Sequence, residues 1–183
     1  MDVVLTGTGS PLPDADRAGP STLIKAGDCH VLVDAGRGVV MRMAGAGSLP
    51  VFLSGVLITH LHSDHICDLN DVITTHWIMS QGNAILPIYG PPGTEEFVNR
   101  QMHALEADIS YRIEHHEQLT HGPQVQVVEL APGEQFTVGE LFVRTAATEH
   151  APVKPTLGYR IEHSELSVAL VGDTVPCEGV DEL

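Results

Sequence analysis

A chain of 183 residues with 43% hydrophobic residues is long enough to bury the core of one domain, which we expect to span 1–183. Its 24 acidic residues outnumber its nine basic ones and give a net charge of −15, which argues against broad adhesion to nucleic acid or anionic membranes. Neither an apolar stretch of about 18 residues nor a signal-peptide pattern is visible, so we expect no membrane association.

The cysteines favour a reducing compartment. Cys29, Cys67 and Cys177 make an odd count and show no C-x-x-C spacing. Reduced thiols are typical of cytoplasmic proteins, so the expected location is the cytoplasm.

Strands and helices alternate in the first half of the chain. Apolar runs bounded by turn residues predict strands over 2–6, 22–26, 30–34, 56–59 and 85–89. Helical spacing predicts helices over 38–45, 68–80 and from Thr94 to about 105, with Thr94 as the N-cap. Trp77 is expected to serve packing rather than recognition.

The second half is mostly strand. Residues 108–121 are ambiguous, and further strands are predicted over 125–130, 141–148, 157–162 and 166–171, with a turn at Pro132-Gly133 between the first two. Strands and helices that interleave in blocks indicate an α/β sandwich.

The six residues HLHSDH at 60–65 carry four metal-binding side chains directly after a buried strand. Alternate side chains of an extended chain point the same way, so His60 and His62 can face one metal ion. Asp64 and His65 follow at a turn and can face a second position. Imidazole and carboxylate ligands suit zinc, and also manganese or iron. The alternative is a chance cluster in a chain with 11 histidines.

Two later residues also follow predicted strands. His150 comes after the strand at 141–148, and Asp173 comes after the strand at 166–171. An aspartate at such a place can bridge two metals with its two oxygens. Alone, each residue is explained equally well as a surface loop or turn residue. His115, His116 and His121 do not follow a strand, and we expect them to bind no metal.

HLHSDH, His150 and GDT at 172–174 together resemble the metallo-β-lactamase superfamily. TGTGSP near the start, DAGRG at 34–38, YGPPG at 89–93 and LGYRIE at 157–162 resemble its ribonuclease Z branch, which also contains arylsulfatase-like and cyclic-nucleotide phosphodiesterase-like members. The resemblance covers essentially the whole chain. It implies an α/β, metallo-β-lactamase-like αββα four-layer sandwich, a homodimer and two zinc ions per chain, with manganese as the alternative metal.

The resemblance also implies a ligand set. His60, His62, His150 and Asp173 hold the first metal, while Asp64, His65 and the bridging Asp173 hold the second. A hydroxide between the two metals attacks phosphorus or sulfur. Asp64 orients this hydroxide or serves as the general base, which makes it the expected catalytic residue.

The sequence departs from the family in two respects. The family has a further metal-binding histidine after the GDT motif, so we expect the domain to be C-terminally incomplete, with part of its last layer missing. Many bacterial ribonucleases Z carry a long tRNA-gripping arm between the strands that here hold Ile161 and Gly172, and only ten residues separate those two positions. With the acidic charge, this makes tRNA a less favoured substrate.

These observations predict a metal-dependent, ribonuclease Z-like hydrolase of phosphodiester bonds in RNA or in small molecules. An arylsulfatase-like or other small-ester hydrolase of the same fold is the first alternative. A truncated, non-catalytic metal-binding protein is the second.

Overall fold

A mixed six-stranded sheet lies at the centre of the computed structural model, which describes residues 1–183. Its strands lie side by side in sequence order: β1 (Asp2–Gly7), β2 (Ser21–Ala26), β3 (Cys29–Val33), β4 (Leu53–Leu57), β5 (Ile85–Gly90) and β6 (Gln124–Glu129). The first three are antiparallel, and β3 to β6 are parallel. The carboxyl ends of β3, β4 and β5 therefore meet at one edge of the sheet.

Helices in the crossover connections cover one face of this sheet, because parallel neighbours need long connections. They are α1 (Val39–Gly45), α2 (Ser63–Ile66), α3 (Leu69–Met79), α4 (Thr94–Ala104) and α5 (Glu106–His115). Leu32, Val56 and Ile88 of the sheet pack in one buried cluster with Met43 of α1 and Ile73 of α3. No helix of the chain has the length and apolar character that crossing a membrane requires.

A second, antiparallel sheet covers the other face. Its spatial order is β10-β9-β8-β7, formed by β7 (Gln135–Val138), β8 (Leu141–Ala147), β9 (Leu157–His163) and β10 (Leu166–Leu170). Val31 and Leu57 of the first sheet share a buried cluster with Val143, Tyr159 and Ile161 of the second. A short helix, α6 (Glu178–Glu182), packs against β8. The expected α/β sandwich with two facing sheets is confirmed.

One predicted strand end needs correction, and the structure adds two elements that were not predicted. The strand predicted over 56–59 is β4 and ends at Leu57, so Ile58 and Thr59 already belong to the loop. The ambiguous stretch 108–121 mostly forms α5, and the turn at Pro132-Gly133 is followed by an additional short strand, β7. Both were missed because short amphipathic segments give weak periodicity.

The predicted N-cap at Thr94 is wrong. Gly93 occupies the N-cap position of α4, and the Thr94 hydroxyl donates instead to the carbonyl of Pro91 at 2.6 Å. The carboxylate of Glu129, at the end of β6, accepts hydrogen bonds from the backbone N–H groups of Gly93 and Glu95. A distant residue thus satisfies the free donors of this helix and places a negative charge at its amino end.

Tyr159 connects the two sheets next to the HLHSDH segment. Its side chain is fully buried, and its hydroxyl donates to the carbonyl of Ile58 at 2.6 Å. We predict that Tyr159→Phe lowers the free energy of unfolding by about 1–2 kcal/mol, because a buried carbonyl loses its partner. Urea unfolding measures this, with Tyr111→Phe at a 70% exposed position as the control. Equal loss of stability in both variants would contradict the assigned role.

Candidate metal centre

Four side chains from three loops come together at the edge where the strands end. His60 and His62 follow β4, His150 follows β8, and Asp173 follows β10. One ligand atom from each lies within 4.8 Å of all the others. His60 is fully buried and Asp173 is exposed, so the group forms a cleft with an open side.

Backbone contacts fix these loops relative to one another. The N–H of Leu157 donates to the carbonyl of Thr59 at 2.9 Å, and Val175 donates to Glu149 at 3.0 Å. Gly172 adopts a φ of 60°, and a Cβ at this position would lie 2.8 Å from Thr59 Oγ1. Only glycine permits this close approach, which brings the following aspartate to the cluster.

A buried carboxylate lies behind the cluster. Asp34 is 4% exposed and directly follows β3, with a φ of 61° that is uncommon for a residue with a side chain. It accepts hydrogen bonds from the Thr59 N–H at 2.8 Å, the Thr59 hydroxyl at 2.9 Å and His65 Nδ1 at 2.7 Å. Three donors compensate for the loss of water around this charge.

These hydrogen bonds set the protonation of two histidine rings. Because the Thr59 hydroxyl gives its proton to Asp34, its oxygen is left to accept from His60 Nδ1 at 3.0 Å. His65 likewise donates from Nδ1 to Asp34. In its neutral form each ring therefore carries its proton on Nδ1 and leaves Nε2 with a lone pair, and both Nε2 atoms are buried without a hydrogen-bond partner. Such lone pairs fit a metal cation, whose histidine ligands typically donate their other N–H to the protein.

The two rings differ in their titration. Burial, with a smaller contribution from His65, lowers the pKa of His60 to about 4, so this ring is neutral at pH 7 and ready to bind a cation. Burial also lowers the pKa of His65. The hydrogen bond to Asp34 and the charges of Asp34, Asp173 and Asp64 outweigh that effect, and the pKa of His65 is raised.

All six predicted ligands are gathered, in two neighbouring groups. His62 Nδ1 lies 3.1 Å from His150 Nε2 within the four-residue group. His65 Nε2 lies 3.4 Å from Asp173 Oδ1 and 3.8 Å from Asp64 Oδ2. Asp64 and His65 are thus outside the four-residue group but adjacent to it, and Asp173 contacts both groups.

The other singled-out residues lie away from the centre. His115 and His116 face each other at the end of α5, at 4.8 Å between ring centroids. The carbonyl of His121 accepts from Nε1 of the buried Trp77, which confirms the packing role predicted for this tryptophan. Asp34 and Thr59 were not predicted to serve the site. The available signal was an aspartate directly after a buried strand.

A family model described as "Beta-lactamase superfamily domain" matches residues 30–183. Curated relatives include Ribonuclease Z of Mycolicibacterium gilvum, which is 51% identical over all of this chain, and Ribonuclease Z of Mycobacterium bovis, which is 50% identical. The chain spans 65% of the length of the first relative and 66% of the second.

Solved structures of similar fold include human tRNase Z, short form, and the metallo-β-lactamase fold protein YhfI from Bacillus subtilis. The superposition on the human protein has a TM-score of 0.75 and covers 98% of this chain and 70% of the human chain. The superposition on YhfI has a TM-score of 0.72 and covers 96% of this chain and 63% of the YhfI chain. Both are 23% identical to this chain, a level at which the likeness establishes the fold.

We predict that Asp34→Asn lowers the metal content of protein purified without chelator and destabilises the fold by about 1–3 kcal/mol. Asparagine offers one accepting oxygen where Asp34 offers two. If the oxygen faces His65 Nδ1 and the Thr59 hydroxyl, the amide nitrogen faces the Thr59 N–H; if it faces the Thr59 N–H, His65 loses its acceptor. Either orientation disturbs the ligand loop. Elemental analysis and urea unfolding measure the two effects. Asp28→Asn, at the exposed turn between β2 and β3, is the matched control. Wild-type metal content in the Asp34 variant would contradict the prediction.

Proposed function

Because the chain belongs to the metallo-β-lactamase superfamily, and within it resembles the ribonuclease Z branch, we propose that it is a metal-dependent hydrolase of RNA phosphodiester bonds. The whole chain then forms one domain of this family. Since it spans about 65% of the length of the curated ribonucleases Z, their activity is carried over here as a proposal.

The four-residue group of His60, His62, His150 and Asp173 carries this proposal. Three imidazoles and a carboxylate within 4.8 Å of one another form a donor set typical of catalytic divalent metals. The unpartnered Nε2 of His60 supports the same interpretation, because a buried lone pair without a donor is costly unless a cation binds it.

Zinc fits this donor set. A zinc–nitrogen distance of about 2.0–2.1 Å in a tetrahedral site separates two ligand nitrogens by about 3.3 Å. The 3.1 Å between His62 Nδ1 and His150 Nε2 is close to that value. Asp64, His65 and Asp173 would hold a second ion, with Asp173 shared. Manganese accepts the same ligand types and is the alternative.

A bound divalent metal would supply Lewis acidity at a phosphoryl oxygen. The chain's own residues would orient the reactants and move the proton. Asp64 is 4% exposed, and its Oδ2 lies 3.8 Å from His65 Nε2, so we propose that its carboxylate takes a proton from the water that attacks phosphorus. Asp34 would act indirectly, because it accepts from His65 Nδ1 at 2.7 Å and so holds the ring with Nε2 facing Asp64 and Asp173.

We further propose a homodimeric assembly and a cytoplasmic location. The family resemblance favours a homodimer. Cys29, Cys67 and Cys177 are all free thiols, which agrees with a cytoplasmic location. Sulfate esters are the alternative substrates for the same donor set, and the substrate comparison below separates them from phosphodiesters.

The metal-loaded chain is expected to hydrolyse bis(p-nitrophenyl) phosphate, to lose that activity with chelator and to regain it with zinc or manganese. The rate of p-nitrophenol release measures this. Parallel assays with an aryl sulfate, a cyclic nucleotide and a precursor tRNA rank the substrate classes. A preference for the aryl sulfate would overturn RNA as the substrate. Bound metal without turnover of any of these would favour the non-catalytic alternative.

His62→Ala is expected to lower the bound metal, because it removes one nitrogen from the four-residue group. Elemental analysis of matched preparations measures the metal-to-protein ratio. His103→Ala, at an exposed histidine on α4, removes an imidazole outside the centre and is expected to leave the ratio unchanged. An unchanged ratio in the His62 variant would count against the ligand assignment.

A further inference from the structure

Asp68 begins a helix that its own side chain does not cap. It occupies the N-cap position of α3, where an aspartate normally accepts a hydrogen bond from a backbone N–H of the first turn. Here the carboxylate makes no such bond. Its Oδ2 accepts instead from the backbone N–H of Gly38, 30 residues earlier in the chain. The side chain therefore serves a distant loop in place of its own helix.

This loop, residues 34–38, is termed the DAGRG loop below, and its last residue begins α1. Gly38 is the N-cap of α1, has a φ of 85° and carries no side chain that could cap the helix. The Asp68 carboxylate satisfies its N–H and places a negative charge at the amino end of α1, as the glutamate of a capping box does within one helix. Val39 and Met43 of α1 are fully buried in the core. One carboxylate thus joins the beginnings of α1 and α3.

Backbone hydrogen bonds join the DAGRG loop to α2, the helix that carries two of the predicted metal ligands. The N–H of Ala35 donates to the carbonyl of His65 at 2.6 Å, and the N–H of Asp68 donates to the carbonyl of Ala35 at 3.0 Å. The two segments are in close contact, because a Cβ on Gly36 would lie 2.5 Å from the backbone oxygen of Asp64. Asp68 therefore holds the DAGRG loop with both its backbone and its side chain.

The position of the DAGRG loop matters for one of the two proposed ions. Its first residue is Asp34, whose carboxylate accepts from His65 Nδ1 at 2.7 Å, and this contact exists only while the loop and α2 keep their relative position. Nε2 of the same ring lies 3.4 Å from Asp173 and 3.8 Å from Asp64, where the second ion is proposed. No member of the four-residue group lies in the loop or in α2. A displaced loop would therefore disturb the second ion more than the first.

We propose that Asp68 is a positioning residue for the second metal ion, because it anchors the DAGRG loop on α2 and so keeps Asp34 in contact with His65. This inference rests on the two-ion centre of the proposed function. Asp68 is not itself a ligand in the proposed centre, and it acts through the loop that Asp34 and Gly38 delimit. Removing a group that orients a metal ligand commonly weakens metal binding about 10- to 100-fold. Asp68 acts one contact further away, so the lower end of that range is expected.

Asp68→Ala is expected to weaken binding of the second zinc ion about tenfold and to leave the affinity for the first unchanged. Competition with a chromophoric chelator measures both dissociation constants. Asp68→Ser can cap α3 itself but is too short to reach Gly38, so it should show the same loss in a folded protein. Asp68→Asn keeps an accepting oxygen without the charge and should bind the second ion like the wild type. An equal loss in the asparagine and alanine variants would overturn the inference, because the effect would then come from charge alone.

Asp71→Ala is the matched control, because it removes an exposed carboxylate from the first turn of the same helix, where that carboxylate accepts from the Thr75 hydroxyl. Both zinc affinities should equal those of the wild type. A second-ion affinity that is unchanged in Asp68→Ser, or that falls equally in Asp71→Ala, would show the inference to be wrong. A wild type that binds fewer than two ions would overturn it as well. A wild type that binds two ions but hydrolyses no bis(p-nitrophenyl) phosphate would contradict the proposed function and leave this inference standing.

Discussion

The buried carboxylate of Asp34 is the interaction on which the candidate site depends. Removing a carboxylate from water costs several kcal/mol unless hydrogen bonds replace those it loses. All three donors come from Thr59 and His65, on the loop that carries the predicted ligands. The charge therefore orders this loop, and the loop in turn makes the buried charge tolerable. The uncommon backbone conformation at Asp34, with φ of 61°, costs about 1–3 kcal/mol and aims the carboxylate at the loop.

The topology of the sheets brings this carboxylate and the histidines together. β3 and β4 are parallel neighbours, so Asp34 and His60 leave the same edge of the first sheet. The second sheet then supplies His150 and Asp173 from the ends of β8 and β10. Tyr159 of the second sheet contributes to this arrangement. Its hydroxyl donates a hydrogen bond to the carbonyl of Ile58, where the ligand loop of the first sheet begins. The site is thus a product of sheet packing and of strand direction.

The sequence could predict those parts of the site in which residues of metal-binding type lie close together in the chain or directly after a strand. HLHSDH is such a case, and His150 and Asp173 could be added because each follows a recognisable strand. Asp34 was not linked to the site, because its role depends on a pairing of β3 with β4 that no local pattern reveals. The cap of α4 was predicted wrongly for the same reason, since Glu129 reaches it from a strand 36 residues further along the chain. Contacts between distant segments decided both cases.

In the proposed function, charge would link the binding of the metal to the binding of an anionic substrate. At physiological salt, charges beyond a Debye length of about 8 Å are largely screened, so the net charge of −15 matters less than the groups in the cleft. There, Asp64 and Asp173 repel an anion. One divalent cation would neutralise these two charges, and the second proposed ion would make the local charge positive. Binding of an anionic substrate would therefore be favoured once the metal is bound, and the proposed function makes the affinities for metal and substrate interdependent. The same acidic surface disfavours nucleic acid everywhere else and so concentrates binding at the one place where positive charge is supplied.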